Sequence, residues 1–387
     1  MKSRNPILPT SFFFPDGEPH LIDGELYVYP SCDTQADSYC SEKLYVVHSK
    51  DLSDWKIEGP VLECTSLNSM HSLPEGFGSG LLYAPDSLTV NGKSYLFFCT
   101  SDGYEGVAFS DNPSGPFTNP VLITTDKTGE YIKGIDPAVL YDDGKAYLYW
   151  GQFSSFGAEL TDDFTKIKED TLVSGLLTES EHGFHEGSSL RKINGKYYYI
   201  FADIHRGKPT ALGYAVSDSP LGKYEYKGII IDNDGCDPET WNNHGSIECV
   251  DGRWYVFYHR STNNSRFLRR MCAELIFFDR DGNIREAVPT SIGMGEAFKP
   301  GERIYAYQAC SVSKGTYIAD DKLIITKGKS KIVFRYVDTS ICASSIDFAG
   351  DSSVSADFEI ASDGTLTVYL EATADAQIEY FMIHHPE

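Results

Sequence analysis

An Asn-Gly or Asp-Gly pair runs into a tyrosine-rich strand five times along this chain. The copies are DGELYVY (Asp23 to Tyr29), NGKSYLFF (Asn91 to Phe98), DGKAYLYW (Asp143 to Trp150), NGKYYYIF (Asn194 to Phe201) and DGRWYVFY (Asp251 to Tyr258). Their turn glycines, Gly24, Gly92, Gly144, Gly195 and Gly252, stand 68, 52, 51 and 57 residues apart by subtraction. Each pair supplies the positive φ of a two-residue hairpin, and the alternating Tyr, Val, Phe and Leu supply a half-buried strand. Strand units repeating at roughly 50 residues predict a radial β architecture. A second recurrence, LYVVHSKDLSDW (Leu44 to Trp55), GVAFSDNPSGPF (Gly106 to Phe117) and GYAVSDSPLGKY (Gly213 to Tyr224), adds a strand and a Ser-Asp-rich turn to three copies. Six to nine positions before each turn glycine stands a polar residue: Asp16, Asp86, Asp136, Glu186 and His244. If every repeat begins with an inner strand near the axis, these five converge on one centre.

The expected fold class is therefore all-β, a five-bladed β-propeller over residues 1–298 followed by a small C-terminal β-sandwich over residues 299–387. GMGEAFKPG, around Met294 to Gly301, reads as a connector because of its glycines and proline. Beyond it, YIADDKLIITKG, KIVFRYVD, SADFEIASDGTLTVYLEA and QIEYFMIHH alternate with period two between Gly and Asp turns. Hardly any amphipathic helix is foreseen.

Lys and Arg number 33 against 56 Asp and Glu, a formal charge of −23. Such a field repels nucleic acid and anionic membrane and suits a neutral substrate. No nucleic-acid or membrane partner is expected, and no stretch of 18 apolar residues is present to span a bilayer. The N-terminus, MKSRNPILPTSFFFPDG, has its apolar patch interrupted by prolines and lacks a continuous signal-peptide core. Nine cysteines, an odd number with no CxxC pair, read as reduced thiols. A cytoplasmic location is the expectation from these two features. The oligomeric state is not readable.

Asp16 stands in FPDGEPHL and Asp136 in GIDPAVLYDDG, both ordinary turn settings, although the apolar neighbours of Asp136 indicate burial. Glu186, in GFHEGSSLRKING, lies among apolar and glycine neighbours, where desolvation raises a carboxyl pKa as a general acid requires. Asp86, in LLYAPDSLTVNG, has the same placement and could equally fasten a strand start. His244, in WNNHGSIECVDG, is either a hydrogen-bonded core histidine or a ligand for a cation or water on the axis. There is no GxSxG elbow, no GxxxxGK[ST] loop, no HExxH and no clustered Cys/His set. Converging carboxylates without a redox cofactor point to glycoside hydrolysis.

Read together and in order, DGEPH before DGELYVY, APD before NGKSYLFF, IDPAV before DDGKAYLYWG, HEGSSL before NGKYYY and NNHGS before GRWYVFYH resemble the motif series of glycoside hydrolase family 43. The resemblance covers about residues 5 to 298, and the tail from Glu302 is similar to the appended β-sandwich of arabinofuranosidase-like members. It implies a five-bladed propeller and an inverting mechanism. By it Asp16 is the general base, Glu186 the general acid, and Asp136 the carboxylate that orients the acid and keeps it protonated. An inverting pair leaves room for a water, roughly 6.5 to 9.5 Å between carboxyls. The family's axial histidine falls on His244, implying a structural Ca2+ or other hydrated cation and no cofactor for the chemistry itself. Arg269 and Arg270 fall where a substrate-contacting arginine is placed. Asp86 and the aromatics Tyr83, Phe184 and Trp241 complete the expected sugar contacts.

The activity so implied is removal of terminal α-L-arabinofuranosyl or β-D-xylosyl units from hemicellulose-derived oligosaccharides. An endo-arabinanase, a non-catalytic carbohydrate-binding propeller and a retaining fructan-processing propeller remain as alternatives.

Overall fold

The computed structural model describes residues 2–68, 70, 73–78, 80–338 and 344–384. All five Asn-Gly and Asp-Gly pairs hold both residues at positive φ, from Asp23 at 49° and Gly24 at 80° to Asp251 at 52° and Gly252 at 73°. That is the type I′ geometry whose twist matches the flanking strands. Each turn joins the first two strands of an antiparallel sheet, and the five sheets follow one another along the chain. The first runs Glu18–Ile22, Glu25–Tyr29, Lys43–Ser49, Lys56–Glu63, and the second Asp86–Val90, Lys93–Cys99, Glu105–Ser110, Thr118–Leu122. The third is Ala138–Asp142, Lys145–Trp150, Ser154–Glu159, Val173–Thr178, and the fourth Phe184–Ile193, Lys196–Asp203, Ala211–Ser217, Glu225–Asp232. The fifth has three strands, Ser246–Val250, Arg253–Thr262 and Ser265–Ile276.

The first strand of every sheet touches the first strand of the next, and Ser246–Val250 returns to touch Glu18–Ile22. The sheets thus form a closed ring, and their apolar side chains pack in the seams between neighbours. Tyr29, Leu44 and Phe98 fill the first seam, Phe97, Leu148 and Trp150 the second, and Tyr149, Leu177 and Tyr199 the third. Ile200, Tyr214 and Val256 fill the fourth, and Leu26, Val28, Phe257 and Met271 the seam that closes the circle. Adjacent residues such as Phe97 and Phe98 serve opposite seams, because side chains alternate across a strand. Each such ring buried from water contributes about 1.5–3 kcal/mol.

Closure joins the chain's beginning to its fifth repeat. The Ile7 amide donates to the Met271 carbonyl (3.0 Å), and the wholly buried Asn5 donates to Ala273 O (3.1 Å), Glu274 Oε1 (2.8 Å) and Thr290 O (2.9 Å) while accepting from the Ala273 amide (2.9 Å). The N-terminal segment therefore stands where the fifth sheet lacks a fourth strand.

Beyond residue 298 two further antiparallel sheets share one core. One contains Arg303–Tyr305, Thr316–Ala319, Lys322–Ile325, Ser345–Gly350 and Ala376–His384, and the other Ser311–Val312, Gly328–Phe334, Val354–Ile360 and Leu366–Ala372. Leu323, Ile332, Phe334, Leu366 and Phe381 fill the space they enclose. The expected connector is packed: Met294 lies in the closing seam and Phe298 in the C-terminal core. The two parts meet at the fifth sheet and the link leading into it: the Asn263 amide donates to Ile318 O (2.7 Å), the Val312 amide to Gly235 O (3.1 Å) and Arg270 Nη2 to Asp321 Oδ1 (2.9 Å).

The expected scarcity of helix holds among the described residues, where α-helix is confined to the four-residue turns Cys64–Leu67 and Glu179–His182. No helix among them is long and apolar enough to cross a membrane. The eight described cysteines are free thiols, while Cys342 and Ser79 lie outside the described residues.

Asn5→Ala removes three donated bonds and one accepted bond from a buried site, and should destabilise the protein by about 2–4 kcal/mol. A lowered urea midpoint with an unchanged slope is the expected reading.

Candidate active site

Asp16 and Asp136 both sit at φ 57°, in the left-handed region that aspartate tolerates better than most residues, immediately before the inner strands of the first and third sheets. Glu186 lies within the inner strand Phe184–Ile193, whose register to the next strand shifts between Phe184 and Glu186 and again between Glu186 and Ser189. Gly187 in that bulge has φ 78°, and its amide donates to Asp136 Oδ2 (3.0 Å). The bulge turns Glu186 to the axis and ties it to Asp136 through the adjacent peptide.

The three carboxylates line one cavity of about 170 Å³, together with His244, Arg269, Asn242, Gln152, Tyr39, Cys40 and Tyr83. Burial alone would raise Asp16, but the Arg269 guanidinium first and the hydrogen bond with His259 next outweigh it and hold this carboxyl well below the usual range. Arg269 Nη1 donates to Asp16 Oδ1 (2.9 Å), and His259 Nδ1 stands 3.2 Å from the same oxygen. Asp136 is driven the other way: burial first, then the Glu186 and Asp16 carboxylates, push it well above the ordinary value. Glu186 is half-buried, with Oε2 accepting from Gln152 Nε2 (2.8 Å) and Oε1 from Asn242 Nδ2 (3.2 Å). One carboxylate is thus fixed as an anion, while the neighbouring Asp136 keeps a proton more readily than an isolated acid would.

A charged layer lies directly beneath. Arg191 Nη2 donates to Glu18 Oε1 (2.7 Å) and to Pro19 O (2.5 Å), Ser189 Oγ donates to Glu18 (3.0 Å), and His20 Nε2 pairs with Asp86 Oδ1 (2.6 Å). These groups fill the axis below the cavity.

His244 does belong to the cavity. Its Nδ1 is 3.9 Å from both Asp16 Oδ1 and Asp136 Oδ2, and burial lowers its pKa, so the ring is neutral and can offer a lone pair. Those carboxylate oxygens are already engaged by Arg269 and Gly187. The residues present therefore fit a cation that draws most of its ligands from water, and not a protein-caged one. Among the described residues, Glu18, His20 and Asp86 do bring three ligand-type atoms within 4.8 Å of one another, but there Arg191 is already bonded to Glu18.

Four of the expected sugar contacts are corrected. Asp86 is buried below the cavity and accepts from His20, the Ser87 amide (2.5 Å) and the Val139 amide (2.7 Å), so it fastens the second sheet to the third. Phe184 is wholly buried in the third seam against Tyr199 and Phe201, because the bulge puts it on the opposite face from Glu186. Arg270 points away from the axis to Asp321 and the Phe13 ring, as its neighbour Arg269 takes the inward face. Trp241 is 40% exposed under the Arg266 guanidinium and is not part of the cavity wall. Tyr83 and Arg269 do line it.

Asp33, His259, Gln152, Asn242 and Tyr39 were not foreseen. Asn242 sits inside the NNHGS motif and was legible there, and Gln152 follows the third strand motif by two positions. Asp33 and Tyr39 lie on the segment between the second and third strands of the first sheet, which carries no periodic signal. The Tyr39 phenol, pushed up to about 12 mainly by burial, stays a hydrogen-bond donor.

The model of Glycosyl hydrolases family 43 matches residues 3–284, the whole ring with its carboxylates. The chain belongs to glycosyl hydrolase family 43. Within family 43 it is 32% identical over 353 residues to a xylosidase/arabinosidase of Thermoclostridium stercorarium, covering 80% of this chain and 72% of that protein. A xylosidase/arabinosidase 43A of Humicola insolens is 30% identical over 336 residues, covering 72% of this chain and 97% of that one. In structure, a family 43 β-xylosidase/α-arabinofuranosidase from a compost microbial metagenome, crystallised with xylotriose in a calcium-free form, superposes with a TM-score of 0.62 at 26% identity over 74% of this chain and 98% of its own. An arabinoxylan arabinofuranohydrolase of Bacillus subtilis follows 99% of this chain and 98% of its own at TM-score 0.59 and 19% identity, a likeness of fold that includes the C-terminal sheets. The fold is accordingly the β-propeller of family 43, and the protein is a glycosidase.

Gly187→Ala forces a side chain at φ 78° and sets its Cβ 3.1 Å from His244 Cδ2. It should cost about 1–3 kcal/mol of stability and, by moving the peptide between Glu186 and Asp136, lower hydrolysis beyond what the lost stability explains. Melting curves and turnover on an aryl pentoside, compared side by side, check both.

Proposed function

We propose that the five sheets are the blades of a five-bladed propeller spanning residues 1–298, that residues 299–387 form a β-sandwich, and that the axial cavity removes terminal α-L-arabinofuranosyl or β-D-xylosyl residues from hemicellulose-derived oligosaccharides with inversion. The observation that carries this is the divergence of carboxyl environments in one cavity: Asp16 is held ionised by Arg269, while Asp136, tied to Glu186 through the Gly187 amide, is pushed well above its ordinary value. Diverging environments for two acids are what assign a base and an acid.

In this reading Asp16 takes a proton from water as its oxygen attacks the anomeric carbon. The glycosidic C–O bond breaks, and the leaving oxygen takes the proton of Glu186, so configuration inverts in one displacement. Asp136 orients Glu186 through the Gly187 peptide. A cavity of about 170 Å³, closed below by the Arg191 layer, suits one terminal sugar ring better than the interior of a polymer. Tyr83 and Tyr39 offer ring faces and a hydroxyl to it, Trp241 and the half-exposed Phe153 stand outside its wall, and names of relatives that join xylosidase to arabinosidase support a dual pentose preference. His244 would hold a hydrated cation such as Ca2+, which supplies positive charge near sugar hydroxyls and no reacting atom.

Glu186→Gln should lower kcat on oligosaccharides by about 10³-fold while leaving sugar binding intact; turnover that survives would remove the acid from this assignment. Observation of the first-formed anomer by proton NMR should show inversion, and retention would point to a covalent intermediate instead. Release of internal fragments without free pentose would overturn the exo reading. Chelation of divalent cations should lower the melting temperature more than it lowers turnover, and abolished turnover at an unchanged melting temperature would overturn the supporting role given to His244.

A further inference from the structure

Arg269 reaches Asp16 with a single nitrogen. Nη1 donates to Asp16 Oδ1 (2.9 Å), while Nε donates to Asp33 Oδ2 (2.9 Å) and Nη2 to Asp33 Oδ1 (2.9 Å) in a two-pronged fork. Asp33 is itself fixed from both sides, since Oδ1 accepts from the Cys40 amide (3.0 Å) and Oδ2 from the Arg269 amide (3.1 Å). The Tyr39 ring lies 4.7 Å from the guanidinium carbon and covers its face. The Asp33 side chain is wholly buried and is absent from the cavity wall, so no substrate atom can touch it. The partners come from both sides of the closing seam: Asp33 from the first sheet's long connection, Arg269 from the last strand of the fifth.

We propose that Asp33 is the positioning residue of the general base: it consumes two prongs of Arg269 so that the third meets Asp16 in one orientation. A carboxylate–guanidinium fork is planar and bidentate, and fixes the rotation of the arginine as a single bond cannot. Without Asp33 the guanidinium turns its own fork onto Asp16, occupying both oxygens and displacing the lone pair that must receive the proton of water. Asp33 thus protects the base from the arginine that holds it. This rests on the role given to Asp16 above.

The test has one arm independent of turnover. In wild-type protein the Arg269 Nε–H, locked in a buried bond, should give a slowly exchanging 15N–1H resonance, assigned by its loss in Arg269→Lys. Asp33→Asn, which keeps the shape but presents N–H groups to the guanidinium, should abolish or displace it. An unchanged resonance overturns the proposal whatever the enzyme hydrolyses. In the kinetic arm, Asp33→Asn should lower kcat by about 10–50-fold with KM changed less than about threefold, and adding it to Arg269→Lys should lose less than about twofold more. Losses that multiply mean that Asp33 serves only the fold of its loop, and overturn the proposal. Should Asp33→Asn fail to fold, Asp33→Glu keeps the charge on a longer arm and must fall between wild type and Arg269→Lys in both readouts; equality with wild type overturns the proposal. A protein that lacks pentosidase activity yet loses the resonance on substitution would sink the role of Asp16 and leave the fork standing.

Discussion

A ring of sheets has no middle to fill with apolar side chains, so its cohesion lies in the seams, and a ring open at one seam would splay. Closure between the fifth sheet and the first is therefore the constraint on which the remainder depends. Here it is made by the chain's own beginning, which lays Asn5 and Ile7 along the last strand of the fifth sheet and brings Asp16 to the axis a few residues later. The same seam carries Leu26, Phe257 and Met271 below and the Asp16–Arg269–Asp33 network above. Folding and the placing of Asp16 are in this sense one event.

Because the apolar content is spent on the seams, the axis is left to polar groups, and these sort into layers. The lower layer neutralises itself, Arg191 against Glu18 and His20 against Asp86. The upper layer does not. Arg269 is shared between Asp16 and Asp33, and Asp136 and Glu186 have no cation of their own among their hydrogen-bond partners in the described residues. Burial pushes Asp136 up with only other carboxylates beside it, whereas the Arg269 guanidinium holds Asp16 down. The difference between Asp16 and Asp136 follows from where a single arginine points.

Most of the architecture was written in short-range signals. The five Asn-Gly and Asp-Gly turns fix five hairpins by local backbone preference, and Asp16, Asp136, Glu186 and His244 do meet at the axis because each precedes or opens an inner strand at a similar offset. Two of the misreadings, Phe184 and Arg270, come from the parity of strands. Phe184, two residues before Glu186, should share its face, but the register shift between the two residues breaks the alternation and sends it into a seam. Asp86 stands two positions nearer its turn than Asp16, Asp136 and His244, as the first residue of its strand, and so becomes a fastener. Asp33, His259 and Gln152 reach the site through tertiary contact alone, and nothing in their local sequence distinguishes them from other loop or strand residues.

Arg269 and Arg270 are one peptide apart and face opposite ways, the first into the cavity and the second to Asp321 on the tip of a C-terminal hairpin. A twist of that strand which moves either arginine moves the other. The C-terminal sheets therefore act as a fixed anchorage for a crank whose far end is Arg269 on Asp16. Grafting the tail of another family member onto this ring would transplant a setting of Arg269 along with it, so the two parts are bound to change together at this strand even where their surfaces diverge.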